Sequence, residues 1–352
     1  MIPPGETIGI LGGGQLGRML AMAAAQLGYR VHIYSPEPDS IAAEVSAAFT
    51  CAAWDDAEAM GRFADDCAVV TYEFENVPVD PLAALGDTPL LPHPRALETA
   101  QDRLEEKHFA EKLGGWPAPF APVIAREDLA IAVARIGAPG ILKTRRDGYD
   151  GKGQWRIYLP SDVADMELPG DPLIYEGFIR FAAEFSVLLC RGADGDIRFW
   201  DTPQNVHADG ILSQSSVPAT PQVINQLAEA RGLATKVAEA LDYVGVLTLE
   251  FFATANGAVF NEMAPRVHNS GHWTIEGAIT SQFENHIRAI CGLPLGDTRL
   301  AAKGVEMHNL IGDDVHDWEK ILSDPANHLH LYGKAAARPG RKMGHVTRLV
   351  LE

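Results

Sequence analysis

Residues 7–11 (TIGIL) form a short apolar run that ends in a glycine turn, Gly12-Gly13-Gly14-Gln15-Leu16-Gly17. A helical pattern, RMLAMAAAQLG, follows at once, with Gly28 as its expected C-cap. A strand that empties through glycines into a helix reads as the first half of a strand–helix–strand crossover. The same alternation continues with a strand YRVHIY, a helix around 38–47 and a strand near FTCA. A helix near 55–65 and the run CAVVTYEF at 67–74 complete it. Such a series predicts a parallel sheet with crossover helices, an α/β fold. Pro89, Pro92 and Pro94 stop the alternation, so this first domain is expected over residues 1–100.

The chain of 352 residues is too long for that sheet to be the whole protein. A charged helix is expected over 96–114, followed by the proline-rich stretch WPAPFAP. Segment 122–176 contains a loop rich in glycine and charge, and 173–265 holds several strand pairs. Residues 276–291 read as one amphipathic helix, and 328–351 as a strand-rich ending.

Composition bears mainly on partners and compartment. A formal net charge of −18 repels phosphate backbones and anionic lipid, so neither nucleic acid nor membrane is an expected partner. A small anionic nucleotide can still bind where lysine, arginine and metal reverse the sign locally. Cys51, Cys67, Cys190 and Cys291 are widely spaced, which suits reduced thiols rather than a disulfide framework or a zinc site. The N-terminus lacks the basic and apolar regions of a signal peptide, so the expected compartment is the cytoplasm.

Several groups of residues could carry chemistry. The turn at 12–17 fits GxGxxG, whose amides and helix dipole can hold a phosphate, or it is simply a tight turn. A dinucleotide site would also need an acidic residue ending the second strand. That strand ends Tyr34-Ser35-Pro36, with Glu37 and Asp39 beyond it, which argues against an NAD-dependent dehydrogenase. Lys143 closes an apolar strand, and Gly148-Tyr149-Asp150-Gly151-Lys152-Gly153-Gln154 follows soon after. This is either a loop that folds over a polyphosphate or a solvated hairpin tip. The strands 247–253 and 258–263 flank an expected three-residue loop, Ala255-Asn256-Gly257, which puts Glu250 opposite Glu262. Two carboxylates about 5 Å apart in apolar strands repel unless one is protonated or a cation lies between them. Oxygen ligands so placed suit Mg²⁺, and Asn261 could add another. Arg266, His268, Asn269, Ser270 and His272 then follow as an anion pocket or a polar capping loop. Glu176 ends one strand before a hinge, and Glu184 opens another.

Taken in order, Arg103 and Lys107 on a helix, Lys143, the 148–154 loop, Glu176, Glu184, Glu250 and Asn261-Glu262 resemble the ATP-grasp superfamily. GGGQLGRM, TYEFENVP at 71–78, RVHNSGHWT at 266–274 and the late Lys342-Met-Gly-His narrow the resemblance. They are similar to the ATP-dependent carboxylases that act on 5-aminoimidazole ribonucleotide in purine synthesis. The resemblance implies an ATP-grasp region over 101–298, a lid at about 116–176, and a small C-terminal domain over 299–352 that completes the site. It also implies a homodimer that uses ATP and Mg²⁺ to join bicarbonate to that ribonucleotide. Arg103, Lys143 and residues 148–154 would hold phosphates. The hinge Glu176, Gly177, Phe178 and Ile179 would read adenine, Glu184 the ribose, and His207 would border the nucleotide. Asn261 would line the nucleotide site, and Glu250 and Glu262 would hold Mg²⁺. Gly14, Gln15, Leu16, Glu73, Asn76 and Lys342 would face the ribonucleotide, with Arg266, His268 and Asn269 on bicarbonate. Biotin-carboxylase-like ligases and formate-using transformylases share the ATP half, so 71–78 and 266–274 carry the distinction. A nucleotide-sensing protein would have no use for the second set.

Overall fold

The computed structural model describes residues 1–148, 153–164 and 166–351. Its first unit is a parallel sheet in which Thr7–Leu11 lies between Arg30–Ser35 and Val69–Tyr72, with Ala48–Cys51 at one edge. Side chains alternate across Thr7–Leu11 as the strand period requires. Ile8 and Ile10 share a core with helix Gln15–Gln26, whereas Leu11 shares one with helix Ala57–Asp65. The helix expected around 38–47 is only a 3-10 turn, Ala43–Val45. The Ser40 hydroxyl donates to Gly13 O at 3.2 Å and accepts from the Ala43 amide at 3.1 Å, tying the segment to the glycine turn.

The charged helix expected over 96–114 is two helices, Arg95–Ala100 and Arg103–Lys112. Asp102 makes the break. Its carboxylate accepts from the amides of Leu104 at 3.0 Å and Glu105 at 3.4 Å, an N-cap within an otherwise helical stretch. The new helix sets Arg103, Glu106 and Lys107 on one face, at spacings of three and four.

Two antiparallel arrangements follow. The smaller orders Phe120–Val123, Leu173–Gly177, Gly140–Thr144 and Gln154–Ile157, with helix Arg126–Ile136 packed on it. The larger has nine strands. Gly257–Ala264, Gly245–Thr254, Ala183–Arg191, Gln204–Ala208 and Ile211–Val217 run in that order, and Ile197–Phe199 pairs with Ala183–Arg191. Gly304–Ile311, Lys342–Val350 and Asn327–Leu331 continue the same sheet, so the hydrogen-bonded layer has no break near residue 299.

The single helix expected over 276–291 is a short turn, Thr274–Gly277, and a helix, Gln282–Ile290. Ser281 caps the second by accepting from the Glu284 amide at 3.1 Å. Ile287 and Ile290 share the core of Leu20 and Ala24, so this apolar face joins the central sheet to the first domain. Among the described residues no helix is long and apolar enough to cross a membrane.

Candidate active site

The facing glutamates are present, but the chain reaches them by another route. Thr254 pairs with Gly257 across a tighter turn than the three-residue loop expected, and Phe251 pairs with Phe260. Asn261 is then an extra residue, a β-bulge, and beyond it Glu250 pairs with Glu262. The bulge turns the Asn261 carbonyl toward the helix Arg103–Lys112, where it accepts from Lys107 Nζ at 2.9 Å.

The two carboxylates meet different surroundings. Burial and the charge of Glu262 raise the pKa of Glu250 above the usual carboxylate range. Burial acts the same way on Glu262, yet Arg103 and Lys143 overcome it and hold its pKa low. Arg103 Nη1 donates to Glu262 Oε2 at 3.0 Å, and Nη2 to Gly148 O at 2.8 Å. Hard oxygen donors with one carboxyl short of positive charge fit Mg²⁺, which takes one or two carboxylates and completes its shell with water and phosphate. No group of three or more His, Cys, Asp or Glu suited to a metal exists among the described residues.

Next to this pair lies a buried ionic cluster. Lys143 Nζ donates to Glu176 Oε2 at 3.0 Å, and Lys107 Nζ stands 3.4 Å from the same oxygen. Burial alone would raise the pKa of Glu176, but Lys107, Lys143 and Arg103 bring it to about 2. Lys143 shifts down through burial and the neighbouring cations, despite Glu176. Glu106 Oε1 accepts from the Met263 amide at 2.5 Å, and burial pushes its pKa up to about 8. Lys107 and Glu75 lie in motifs that carry the family resemblance, but neither they nor Glu106 had an expected role from sequence. The spacing of Arg103, Glu106 and Lys107 was the available signal for Lys107 and Glu106.

Around the hinge, the amide of Gly177 donates to Pro119 O at 2.8 Å and that of Phe178 to Pro139 O at 3.1 Å. Those two amides are committed within the protein, and Glu176 is paired with Phe120 and Ile141 in the small sheet. Glu184 Oε2 and His207 Nδ1 form a close ion pair. Tyr149, Asp150, Gly151 and Lys152 lie outside the described residues, whereas Gly153 and Gln154 lead into the edge strand of the small sheet.

On the opposite side, the glycine turn already holds an anion of the protein itself. The amide of Gly14 donates to Glu73 Oε1 at 2.7 Å, and the carboxylate sits against Gly12 and Gly17. It serves the helix Gln15–Gln26 as a cap, because Gly14 has no side chain to do so. Gly12 has φ +112, and a Cβ there would lie 2.6 Å from Glu73 Oε1. Gln15 is half-buried, while the Leu16 side chain belongs to the core, so only its backbone remains for a ligand. Asn76 is half-buried between Glu75 and Val77, whose carbonyls both accept from Gln101 Nε2.

Arg266 Nη2 donates to Glu75 Oε2 at 2.6 Å, across 191 residues of sequence. His268 Nδ1 accepts from the Ser270 amide at 3.3 Å, and burial with nearby Arg266 and Lys342 keeps the ring neutral. The proton therefore lies on Nε2, which stands 3.2 Å from Glu250 Oε1. Both polar atoms of the Asn269 amide are buried without a hydrogen-bond partner among the described residues. Lys342 opens the last long strand, and its charge acts on Glu250, His268 and His272. The structure thus brings together the hairpin glutamates, Arg103, Lys143 and Glu176 on one side and His268, Arg266 and Lys342 on the other.

These sheets and this paired-glutamate hairpin define an ATP-grasp ligase. Residues 108–283 match the ATP-grasp domain, 5–101 the ribonucleotide synthetase preATP-grasp domain, and 306–350 the phosphoribosylaminoimidazole carboxylase C-terminal domain. The chain belongs to the N5-carboxyaminoimidazole ribonucleotide synthase family. It is 50% identical to the synthase of Brucella melitensis, over 99% of this chain and 97% of that one. Identity to the Bacillus subtilis synthase is 42%, over 99% and 92%. The crystal structure of the Thermus thermophilus synthetase superposes with a TM-score of 0.90 at 47% identity, covering 97% of this chain and 93% of that one. The Aspergillus clavatus synthase, solved with ADP and 5-aminoimidazole ribonucleotide, gives a TM-score of 0.90 at 31% identity, over 98% and 94%.

Proposed function

We propose that this protein carboxylates the exocyclic amine of 5-aminoimidazole ribonucleotide with bicarbonate, converting ATP to ADP and phosphate, as a homodimer. The observation that carries the reading is that Glu250 belongs to both halves of the site. It faces Glu262 on the nucleotide side, and its Oε1 lies 3.2 Å from His268 Nε2 on the substrate side. A phosphoryl group leaving the nucleotide and an acceptor held by the 266–274 run would meet there.

Bicarbonate is a poor electrophile because its leaving group is hydroxide-like. In the proposed first step a bicarbonate oxygen bonds to the γ-phosphorus, the bond to the β-phosphate oxygen breaks, and ADP leaves. The product, carboxyphosphate, carries phosphate as its leaving group. The amine nitrogen then bonds to its carbonyl carbon, the bond from that carbon to the bridging oxygen breaks, and the departing phosphate takes up the proton that the nitrogen loses. Positioning and positive charge account for most of such a transfer. Lys143 and Arg103 would hold the phosphates, with Glu184 and the hinge orienting the nucleoside. Arg266, kept in place by Glu75, would bind bicarbonate together with the Asn269 amide. Mg²⁺ held by Glu250 and Glu262 would neutralise charge on the transferring phosphoryl group. Glu73, Asn76, Lys342 and the Gly14-Gln15-Leu16 backbone would face the ribonucleotide.

The test is phosphate release from ATP and Mg²⁺ by purified protein, with each co-substrate supplied or withheld. Release should require 5-aminoimidazole ribonucleotide and bicarbonate together. If the ribonucleotide has no effect while ATP still binds, the acceptor is a different amine and the substrate half of the reading fails.

A further inference from the structure

Lys107 is 1% exposed, yet it contributes no atom to an open surface and has no role in the proposed chemistry. Its ammonium touches two parts of the site that come from different layers. One is Glu176 Oε2, at 3.4 Å, on the strand Leu173–Gly177 of the small sheet. The other is the Asn261 carbonyl, at 2.9 Å, in the bulge beside Glu262 on the large sheet. Lys143 Nζ competes for the same Glu176 oxygen at 3.0 Å. Among the described residues, Glu176 Oε1 is buried without a hydrogen-bond partner, and both ammonium contacts fall on the other oxygen.

Two ammonium groups on a single carboxylate oxygen form an arrangement in which one can leave. A buried carboxylate that loses its only counter-ion is left with the full cost of desolvation. With Lys107 in place, Glu176 keeps a partner when Lys143 turns to a phosphate. We propose that Lys107 is a positioning residue that retains Glu176 and the Asn261 bulge, and thereby releases Lys143 to the nucleotide phosphates. The proposal rests on Lys143 being the phosphate lysine of the reading above. Without Lys107, Lys143 becomes the one ammonium group among the described residues in contact with Glu176, with Arg103 acting only from further away, and it binds phosphate only by abandoning that contact.

The test is a double-mutant cycle on Lys107→Met and Glu176→Gln, read as calorimetric affinity for ADP with Mg²⁺, alongside the melting temperature of each variant. Alone, Lys107→Met should weaken ADP by roughly 10–100-fold, the scale of losing a partner that orients a ligating group. On the Glu176→Gln background, where there is no charge to retain, the same change should alter affinity less than about 3-fold. Lys107→Arg should recover most of the loss. Equal losses on both backgrounds, or no loss in the single variant, overturn the proposal. Should Lys107→Met fail to fold, the comparison between Glu176→Gln and the double variant decides alone. Similar affinities support the role, and a tens-of-fold difference refutes it. Lys143→Ala is the control on the underlying reading. If that variant loses ADP while Lys107→Met binds it normally, only the role of Lys107 falls. If Lys143→Ala binds ADP like the parent, the phosphate site itself is wrong.

Discussion

The glycine turn at 12–17 and the end of the strand Gly140–Thr144 both read from sequence as places to hold a phosphate. In the folded chain each is occupied by a glutamate of the protein, but the two glutamates are held in different ways. Glu73 is gripped by backbone, through the Gly14 amide at 2.7 Å, with glycines packed against its carboxylate. Burial raises its pKa even so. Glu176 is held by side chains, Lys143 and Lys107, and despite burial its pKa falls to about 2. A carboxylate fixed by main-chain groups is part of the fold. One balanced between flexible ammonium groups can exchange a partner for a ligand anion. On the proposed reading, the same motif-level signal marks a structural cap in one domain and an exchangeable anion site in the other.

The comparison is broken most directly at Lys143. Lys143→Ala should weaken nucleotide by about 10²-fold or more, as expected when one partner of a buried charge pair is removed, while the fold is kept. ADP calorimetry measures it, and near-normal affinity would mean that Glu176 and Lys143 are as structural as Glu73. The converse substitution is Gly12→Ala. Its Cβ would meet Glu73 Oε1 at 2.6 Å, at a φ of +112 that disfavours a side chain. It should lower stability by roughly 2–5 kcal/mol, combining backbone strain with overpacking, in a chemical denaturation experiment. Nucleotide affinity of the folded fraction should be unchanged. A specific loss of ADP with normal stability would show that the turn is a nucleotide site after all.

How much was legible in the sequence follows from the same contrast between local and distant information. Strand–helix alternation and the apolar strands carrying Glu250 and Glu262 depend on short-range periodicity, and they appear where expected except for the helix around 38–47, which is only a 3-10 turn. The breaks at Asp102 and Ser281 did not, because a single capping side chain interrupts stretches whose composition remains helical. The Asn261 bulge adds one residue without changing which residues look apolar, so the glutamate pair was foreseen through the wrong turn. Glu73 on Gly14 joins positions 59 apart, and Glu75 on Arg266 positions 191 apart. No local pattern encodes such pairs. The ATP-grasp order of charged residues was readable because Arg103, Lys143, Glu176 and Glu184 lie near helix or strand ends and Glu250 and Glu262 interrupt apolar strands, but their counter-ions had to come from the fold.

A third carboxylate sharpens the distinction by a smaller effect. Glu184, like Glu176, is held by a side chain, here the imidazole of His207. Burial would lower the His207 pKa, but the bond to Glu184 and the charge of Glu250 raise it above the usual histidine value. A folded-state pKa above the unfolded one means that folding favours the protonated ring. The resulting stability is fully present below about pH 6.5 and is lost as pH rises through the raised value. His207→Gln should therefore cost more stability at pH 6 than at pH 8.5, by about 1 kcal/mol or less for a partly exposed pair. Melting curves of the nucleotide-free protein at the two pH values measure the difference. An equal cost at both would show that the ring is neutral throughout, and that Glu184 is held by hydrogen bonding without the mobile charge that sets Glu176 apart from Glu73.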